Sequence, residues 1–472
     1  MNSKLQEAVD DIVEKFKIDK QFLIDATVEF NLSMEAGLSA DKPAREYMPM
    51  IPTYVTSIPT GKETGLYLAA DLGGTNFRVC SVLLNGDHTF GIKQSKYKIP
   101  LDLMANSTAD ALFSYLGKKV DAFLQEHHAE YDGEEHLKLG FTFSFPVNQT
   151  ALNRGTLLRW TKGFDLPDCV DKDVVELLQR NIDLLGTKVK VVALANDTVG
   201  TLLSRAYSNN IAKTKAHTTV GAIFGTGTNG AYFETLDKIP KLKASEIPEG
   251  ATGMVVNMEW GSFDNTLKIL PSTKYDQIID AETANPGYHL FEKRISGMFL
   301  GELLRVMLMD LFERKYLFQD LYASRGGSLP HRLAEPWQLS SEVLSYLEID
   351  DSTDLKMSEL VLENHLRLPT NKEERLVIQK LTRTISHRAA YLSAIPLAAV
   401  ISRVKGQYPE DDDGDFEFGC DGSVVEFYPG FQKKILEAVL LINPLEGSSK
   451  KISLRIAKDG SGVGAALCAS LA

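Results

Sequence analysis

Residues 66–78 read LYLAADLGGTNFR. An apolar run, Leu66 to Ala70, ends in Asp71, then in Gly73-Gly74 and Thr75-Asn76, and apolar residues resume at Val79 to Leu84. This pattern predicts a buried strand, a tight polar turn and a second strand. Gly73 and Gly74 are expected to supply positive φ and to leave no Cβ in the way, so that backbone N–H groups can crowd around an anion beside the Thr75 hydroxyl. Asp71 then stands where a cation next to that anion would be. The same letters also fit a hairpin whose glycines only make the turn.

A second turn of this kind lies at 219–232, TVGAIFGTGTNGAY, where Gly225 to Gly230 separate two apolar segments. Two such turns suggest two anion-facing elements related by an old duplication. Between them, VKVVAL (189–194) is a short apolar strand followed by Asn196-Asp197-Thr198 and a helical stretch. In open α/β sheets the ligand crevice lies beyond the carboxyl ends of strands, which is where Asp197 falls, although Asp or Asn before a helix also serves as an N-cap. LKLGFTFSF (137–145) is a strand running into Pro146, with Ser144 near its end. Lys96 reads as a strand-end lysine, and Thr161-Lys162 as a polar pair between aromatics in RWTKGF (159–164).

Two further acids stand out. Glu259 sits in MEWGSF (258–263) among large apolar residues, a context that reads as a buried strand and demands partners for the charge. Glu292 follows a Pro286-Gly287 turn at the start of a helix, and residues 295–312 read as a long amphipathic helix. At the N-terminus, residues 1–37 read as two helices, with Asp19 capping the second and Gly37 stopping it. Near the other end, FEFGCDGSVVE (416–426) is a strand that breaks at Gly419 to Ser423. Residues 452–457 form another strand, and Asp459-Gly460 turns into a helix of small residues.

A chain of 472 residues has room for two lobes with large cores. Its net charge of −12 argues against a general nucleic-acid surface, so a phosphate ligand must be held by local donors. No apolar run reaches the ~20 residues of a membrane span. The N-terminal residues lack the apolar block of a signal peptide. Four scattered cysteines suit neither a disulfide framework nor a zinc site. A cytoplasmic protein with no membrane partner is expected.

DLGGTNFR (71–78), QSKYK (94–98), LGFTFSFP (139–146), RWTKGF (159–164), NDTVGT (196–201), FGTGTNGAY (224–232), EWGSFDN (259–265), GYHLFEKRISG (287–297), DGSVVEFYPG (421–430) and AKDGSGVGAAL (457–467) occur in this order. Together they resemble the eukaryotic hexokinase family, and the stretches around Glu259 and Cys420 look most like its fungal glucokinases. The resemblance implies an α/β, two-lobed actin-like ATPase (ribonuclease H-like) fold with a deep cleft. Residues 1–62 would join the large lobe, 63–197 would form the small lobe, 198–457 the large lobe, and 458–472 a helix returning to the small lobe.

The implied activity is transfer of the γ-phosphoryl group of MgATP to the 6-hydroxyl of glucose, the first step of glycolysis. A broad-specificity hexokinase and a silent sugar sensor remain as alternatives. By family match Asp197 is the general base. By the same match Ser144, Thr161, Lys162, Asn196, Asp197, Asn229, Glu259 and Glu292 would bind the sugar. The resemblance further implies that Asp71, Gly73, Gly74, Thr75, Asn76, Arg78, Lys96, Thr226, Gly227, Thr228, Gly419 and Ser423 would face the nucleotide, and that Asp71 would reach Mg²⁺ through water. Glucose and ATP are the expected partners, with no nucleic acid; monomer and homodimer are both left open.

Overall fold

A computed structural model describes residues 3–39, 47–74, 76–131, 135–160, 163–209, 216–408, 414–443, 451–457 and 459–472. Thr75, Thr161 and Lys162 therefore lie outside the described residues. Among the described residues thirteen strands occur in chain order: β1 Ile51–Pro52, β2 Thr64–Leu72, β3 Asn76–Asn85, β4 Phe90–Lys98, β5 Leu137–Phe143, β6 Val147–Ala151, β7 Arg154–Leu157, β8 Val189–Ala195, β9 Ala216–Phe224, β10 Thr228–Thr235, β11 Gly253–Asn257, β12 Asp415–Asp421 and β13 Ile452–Ile456.

The first sheet has the order β4-β3-β2-β5-β8 and the second β1-β11-β10-β9-β12-β13; β6 and β7 pair separately. In each sheet an antiparallel meander, β2-β3-β4 or β9-β10-β11, is followed by two strands parallel to its first member. The two Gly-rich turns found in the sequence thus occupy equivalent places, between the first and second strands of each sheet. The second sheet has six strands, one more than the first, because β1 adds an antiparallel edge to β11.

Each sheet carries its own apolar core. One cluster joins β2, β3, β5 and β8 to the helices Ala109–His127 and Val174–Asp183. The larger one joins the second sheet to the helices Ser3–Phe16, Lys20–Ser39, Gly297–Glu313 and Lys372–Val404. A third cluster lies between the sheets, where the helix Asp197–Ser208 meets the C-terminal helix Gly460–Ser470. Any side chain at Gly464 would overlap the backbone of Gly200, and one at Gly140 of β5 would overlap the carbonyl of Ala465. Small residues in AKDGSGVGAAL therefore serve helix–helix and helix–sheet contact.

Several local expectations need correction. The Lys20–Ser39 helix runs past Gly37, whose lack of a side chain leaves space for Met50 instead of ending the helix. The helix Gly297–Glu313 is buried on nearly every side from Phe299 to Leu308, including the Glu302–Arg305 ion pair, so it is a core helix and not an amphipathic one. Strand β12 passes through Gly419 and Cys420 and breaks only at Asp421-Gly422. Met258 to Phe263 is not a strand: β11 ends at Asn257, Glu259 adopts left-handed φ 53, and a short 3₁₀ turn, Trp260–Ser262, follows.

Candidate active site

The register of the first sheet lines up one edge of the site. Asp71 pairs with Thr142 across β2–β5, and Thr142 with Ala195 across β5–β8. Because the three strands are parallel, residues just past this row emerge on the same carboxyl-end edge: the first Gly turn, Ser144, and Asn196-Asp197. Neighbouring strands lie ~4.8 Å apart, so the row spans only about 10 Å.

At the third position the chain enters the helix Asp197–Ser208. Asn196 is its N-cap, accepting from the backbone N–H of Thr198 at 2.9 Å and from the Thr198 hydroxyl at 2.6 Å. Asp197 is the first helical residue, half-buried, with Oδ1 accepting from the same Thr198 N–H at 2.9 Å. A carboxylate in a first helical turn lies at the positive end of the helix dipole, which favours its ionised form. The helix then crosses β9, where Gly221 admits Thr198 and Leu202, and β12, where Gly419 admits Arg205.

On the second sheet, amides and carboxylates interlock. Asn229 Nδ2 donates to Asn257 Oδ1 at 2.8 Å and to Glu259 Oε1 at 3.1 Å, while Asn257 Nδ2 donates to the same Glu259 oxygen at 2.8 Å. Asn229 Oδ1 accepts from the N–H of Gly230 at 2.7 Å and of Trp260 at 3.3 Å, which fixes its amide orientation. Glu259 is half-buried rather than enclosed, and these two amides are among its partners. Its left-handed backbone is strain of a kind found at ligand sites. His289, also left-handed at φ 55, sets Nδ1 3.8 Å from Glu292 Oε1. Burial, aided by Arg159 and Lys293, holds the His289 imidazole below its usual pKa.

The first Gly turn is closed by Gly73 N–H donating to Asn76 O at 3.2 Å. Neither Gly73 nor Gly74 has positive φ, contrary to the expectation above. Among the described residues, nothing lies within 4 Å of a Cβ built on Gly74, and only Asn76 O, at 3.9 Å, approaches one on Gly73. Neither φ nor packing against the described residues therefore requires glycine at these two positions, which offer open backbone to whatever approaches. Below it, Arg78 donates to Asp71 at 3.3 Å, to Asp459 at 2.5 Å and to the Ser461 hydroxyl at 2.5 Å, and Ser461 donates to Asp71 at 2.9 Å. Burial disfavours the Arg78 charge, but Asp459 and Asp71 outweigh it and raise its pKa. Asp421 lies close to Gly460; burial raises its carboxyl pKa, with Asp459 adding to the effect. The start of the C-terminal helix is thereby tied to the first hairpin.

In the second turn the carbonyls of Gly225 and Thr226 accept from Gly297 and Met298 N–H at 2.8 and 3.2 Å. Thr226 is exposed, and Thr228 N–H donates to Glu292 Oε2 at 2.9 Å. Ser423 is exposed at the start of a short helix, and Lys96 is exposed on β4 opposite Arg78. Gly419, by contrast, is buried in β12 beneath Arg205, so packing explains it and it does not join the open face. Sequence reading overlooked Asn257 and the hydrogen bond from Trp260 Nε1 to the Thr228 hydroxyl, 2.9 Å. A polar Asn ending the apolar run VVNM was the available signal for the first; the second had none.

A family profile described as Hexokinase matches residues 8–207, and a second, also described as Hexokinase, matches 219–471. Glucokinase-1 of Saccharomyces cerevisiae is 51% identical over 490 aligned positions, covering 99% of this chain and 97% of that one. Glucokinase of Aspergillus niger is 45% identical, covering 100% and 98%. Among solved structures, hexokinase from Schistosoma mansoni complexed with glucose superposes with a TM-score of 0.83 at 34% identity, covering 100% of this chain and 99% of that one.

Proposed function

Since the chain belongs to the hexokinase family and has that family's two-lobed actin-like fold, we infer that it is a glucokinase, an ATP-dependent phosphotransferase that moves the γ-phosphoryl group of ATP to the 6-hydroxyl of glucose. The lobes are taken as 63–197 with the C-terminal helix, and 198–457 with the N-terminal helices, closing on a cleft between the two sheets. A cytoplasmic location is supported by four buried thiols with no disulfide among them; among the described residues, no helix is long and apolar enough to cross a membrane.

The observation that carries the mechanism is the division of labour at the end of β8. Asn196 is the N-cap of the helix, and Asp197, the next residue, accepts from the same Thr198 N–H with Oδ1; its carboxylate, half-buried in the first turn, is assigned as proton acceptor for the sugar hydroxyl. A pyranose is ringed by hydroxyls that each donate and accept, and the Asn229-Asn257-Glu259 net with Glu292, Ser144 and Asn196 supplies both kinds of partner. Thr161 and Lys162 join them by family match.

Phosphoryl transfer leaves the protein mainly positioning and charge stabilisation. Both Gly turns present backbone to the triphosphate, and two helix N-termini, at Asp197 and Gly460, add favourable field for anions. The donor set suits Mg²⁺ held largely by phosphate and water. Asp71 Oδ2 is already engaged by Arg78 and Ser461, and among the described residues no cluster of three metal-ligating side chains exists. When bound, such an ion would neutralise charge on the phosphates, and Asp71 would hold it through water.

A coupled assay for ADP formation across a panel of hexoses at saturating MgATP tests this reading. Glucose-dependent ADP release is expected; release indifferent to sugar overturns it.

A further inference from the structure

The acid assigned to the sugar and the turn assigned to the phosphates touch each other. Glu292 Oε2 accepts from Thr228 N–H at 2.9 Å, at the mouth of the second Gly turn. A Cβ at Gly227 would lie 2.6 Å from that oxygen, so glycine is what leaves room for the carboxylate. Both sides of the contact are held from behind. The Thr228 hydroxyl accepts from Trp260 Nε1 and donates to Ile223 O, each at 2.9 Å. Beside Glu292, buried Lys293 donates to Asp280 at 2.7 Å and to Asn285 O at 2.8 Å, and buried Arg294 donates to Pro271 O at 2.7 Å and to Leu290 O at 2.5 Å. The residues on both sides of the contact are thus anchored, and Glu292 Oε1 also lies 3.8 Å from His289 Nδ1.

We propose that the Glu292–Thr228 contact couples the sugar and nucleotide sites: the carboxylate and a nucleotide phosphate compete for the Thr228 amide, and a hexose hydroxyl donating to Glu292 tips that competition toward the phosphate. A carboxylate and a phosphate oxygen are both anionic acceptors, and one N–H does not serve both without like-charge repulsion. The inference rests on the sugar assignment of Glu292 and the phosphate assignment of the turn, and adds the link between them. Linkage makes the effect reciprocal, so nucleotide tightens sugar by the factor with which sugar tightens nucleotide. Weak phosphate holding without sugar also restrains transfer to water.

Calorimetric titration of the intact protein with the magnesium complex of a non-hydrolysable ATP analogue, with and without concentrated glucose, tests the link. Glucose is expected to tighten the analogue about tenfold in the wild type, within the usual range of such couplings. In Glu292→Gln, which keeps shape and removes charge, sugar-free binding should tighten and the glucose effect shrink to about twofold or less. Gly227→Ala, which pushes an intact carboxylate off the amide, should shrink it likewise. A full glucose effect in both variants, or none in the wild type, overturns the coupling. Unchanged glucose affinity in Glu292→Gln instead overturns the sugar assignment of Glu292.

Discussion

Asn196 caps the helix whose first residue is Asp197. Two adjacent polar residues after a strand look equivalent in a sequence, but the structure places them differently: Asn196 precedes the helix and takes the Thr198 hydroxyl as well as its N–H, whereas Asp197 shares that N–H as a half-buried acid inside the first turn.

Asp197→Ala should consequently fold almost normally and bind glucose measurably, while turnover falls by about 10²- to 10⁴-fold, the usual contribution of a general base. Calorimetry with glucose and steady-state kinetics check the two halves; near-normal turnover removes Asp197 from the chemistry.

Asn257 holds both Asn229 and Glu259 from the end of β11. Asn257→Ala should raise the KM for glucose by about tenfold, one lost hydrogen bond to a charged group being worth about 1.5 kcal/mol or more, with the KM for ATP little changed. Equal rises for both substrates count against a sugar-side role.

Among the described residues, nothing occupies the space a Gly74 side chain would take, and Gly74 needs no positive φ. Gly74→Val should leave the melting temperature nearly unchanged and impair only the nucleotide side. A variant that melts early, or that keeps both its KM for ATP and its turnover, shows the turn to be structural.

Arg388, fully buried, forms two hydrogen bonds to Asp276 at 2.8 and 2.9 Å and stacks on the Phe16 ring. Burial alone would raise the Asp276 pKa, but Arg388 outweighs it and holds the value at about 2, below the usual 3.8. A depressed carboxyl pKa stabilises the fold above the unfolded value and loses that contribution as pH falls from 3.8 toward 2. Asp276→Asn should cost about 3–5 kcal/mol near neutrality by stranding the arginine, and should flatten the stability profile across that acid window. Urea melts at several pH values measure both, and an unflattened profile assigns the acid sensitivity to other groups.

Gly200 and Gly464 bring the Asp197–Ser208 and C-terminal helices into backbone contact. Gly464→Ala should destabilise by about 1–3 kcal/mol through overpacking, read as a lowered urea midpoint. An unchanged midpoint means the helices separate at little cost.

The chain's local text was sufficient for the two glycine-turn hairpins, for Ser144 at a strand end and for an acid after VKVVAL, because alternation, apolar runs and turn residues act over a few positions. It misled where burial on all sides imitates amphipathicity, as at Gly297–Glu313, and where large apolar neighbours imitate a strand, as at Glu259. Only the tertiary structure decided that β1 would complete the second sheet, that Arg78 would meet Asp459 across 381 positions, and that Glu292 would reach Thr228. Such partners are chosen by which surfaces the packed sheets and helices bring within a few ångströms, and sequence spacing carries no record of that distance.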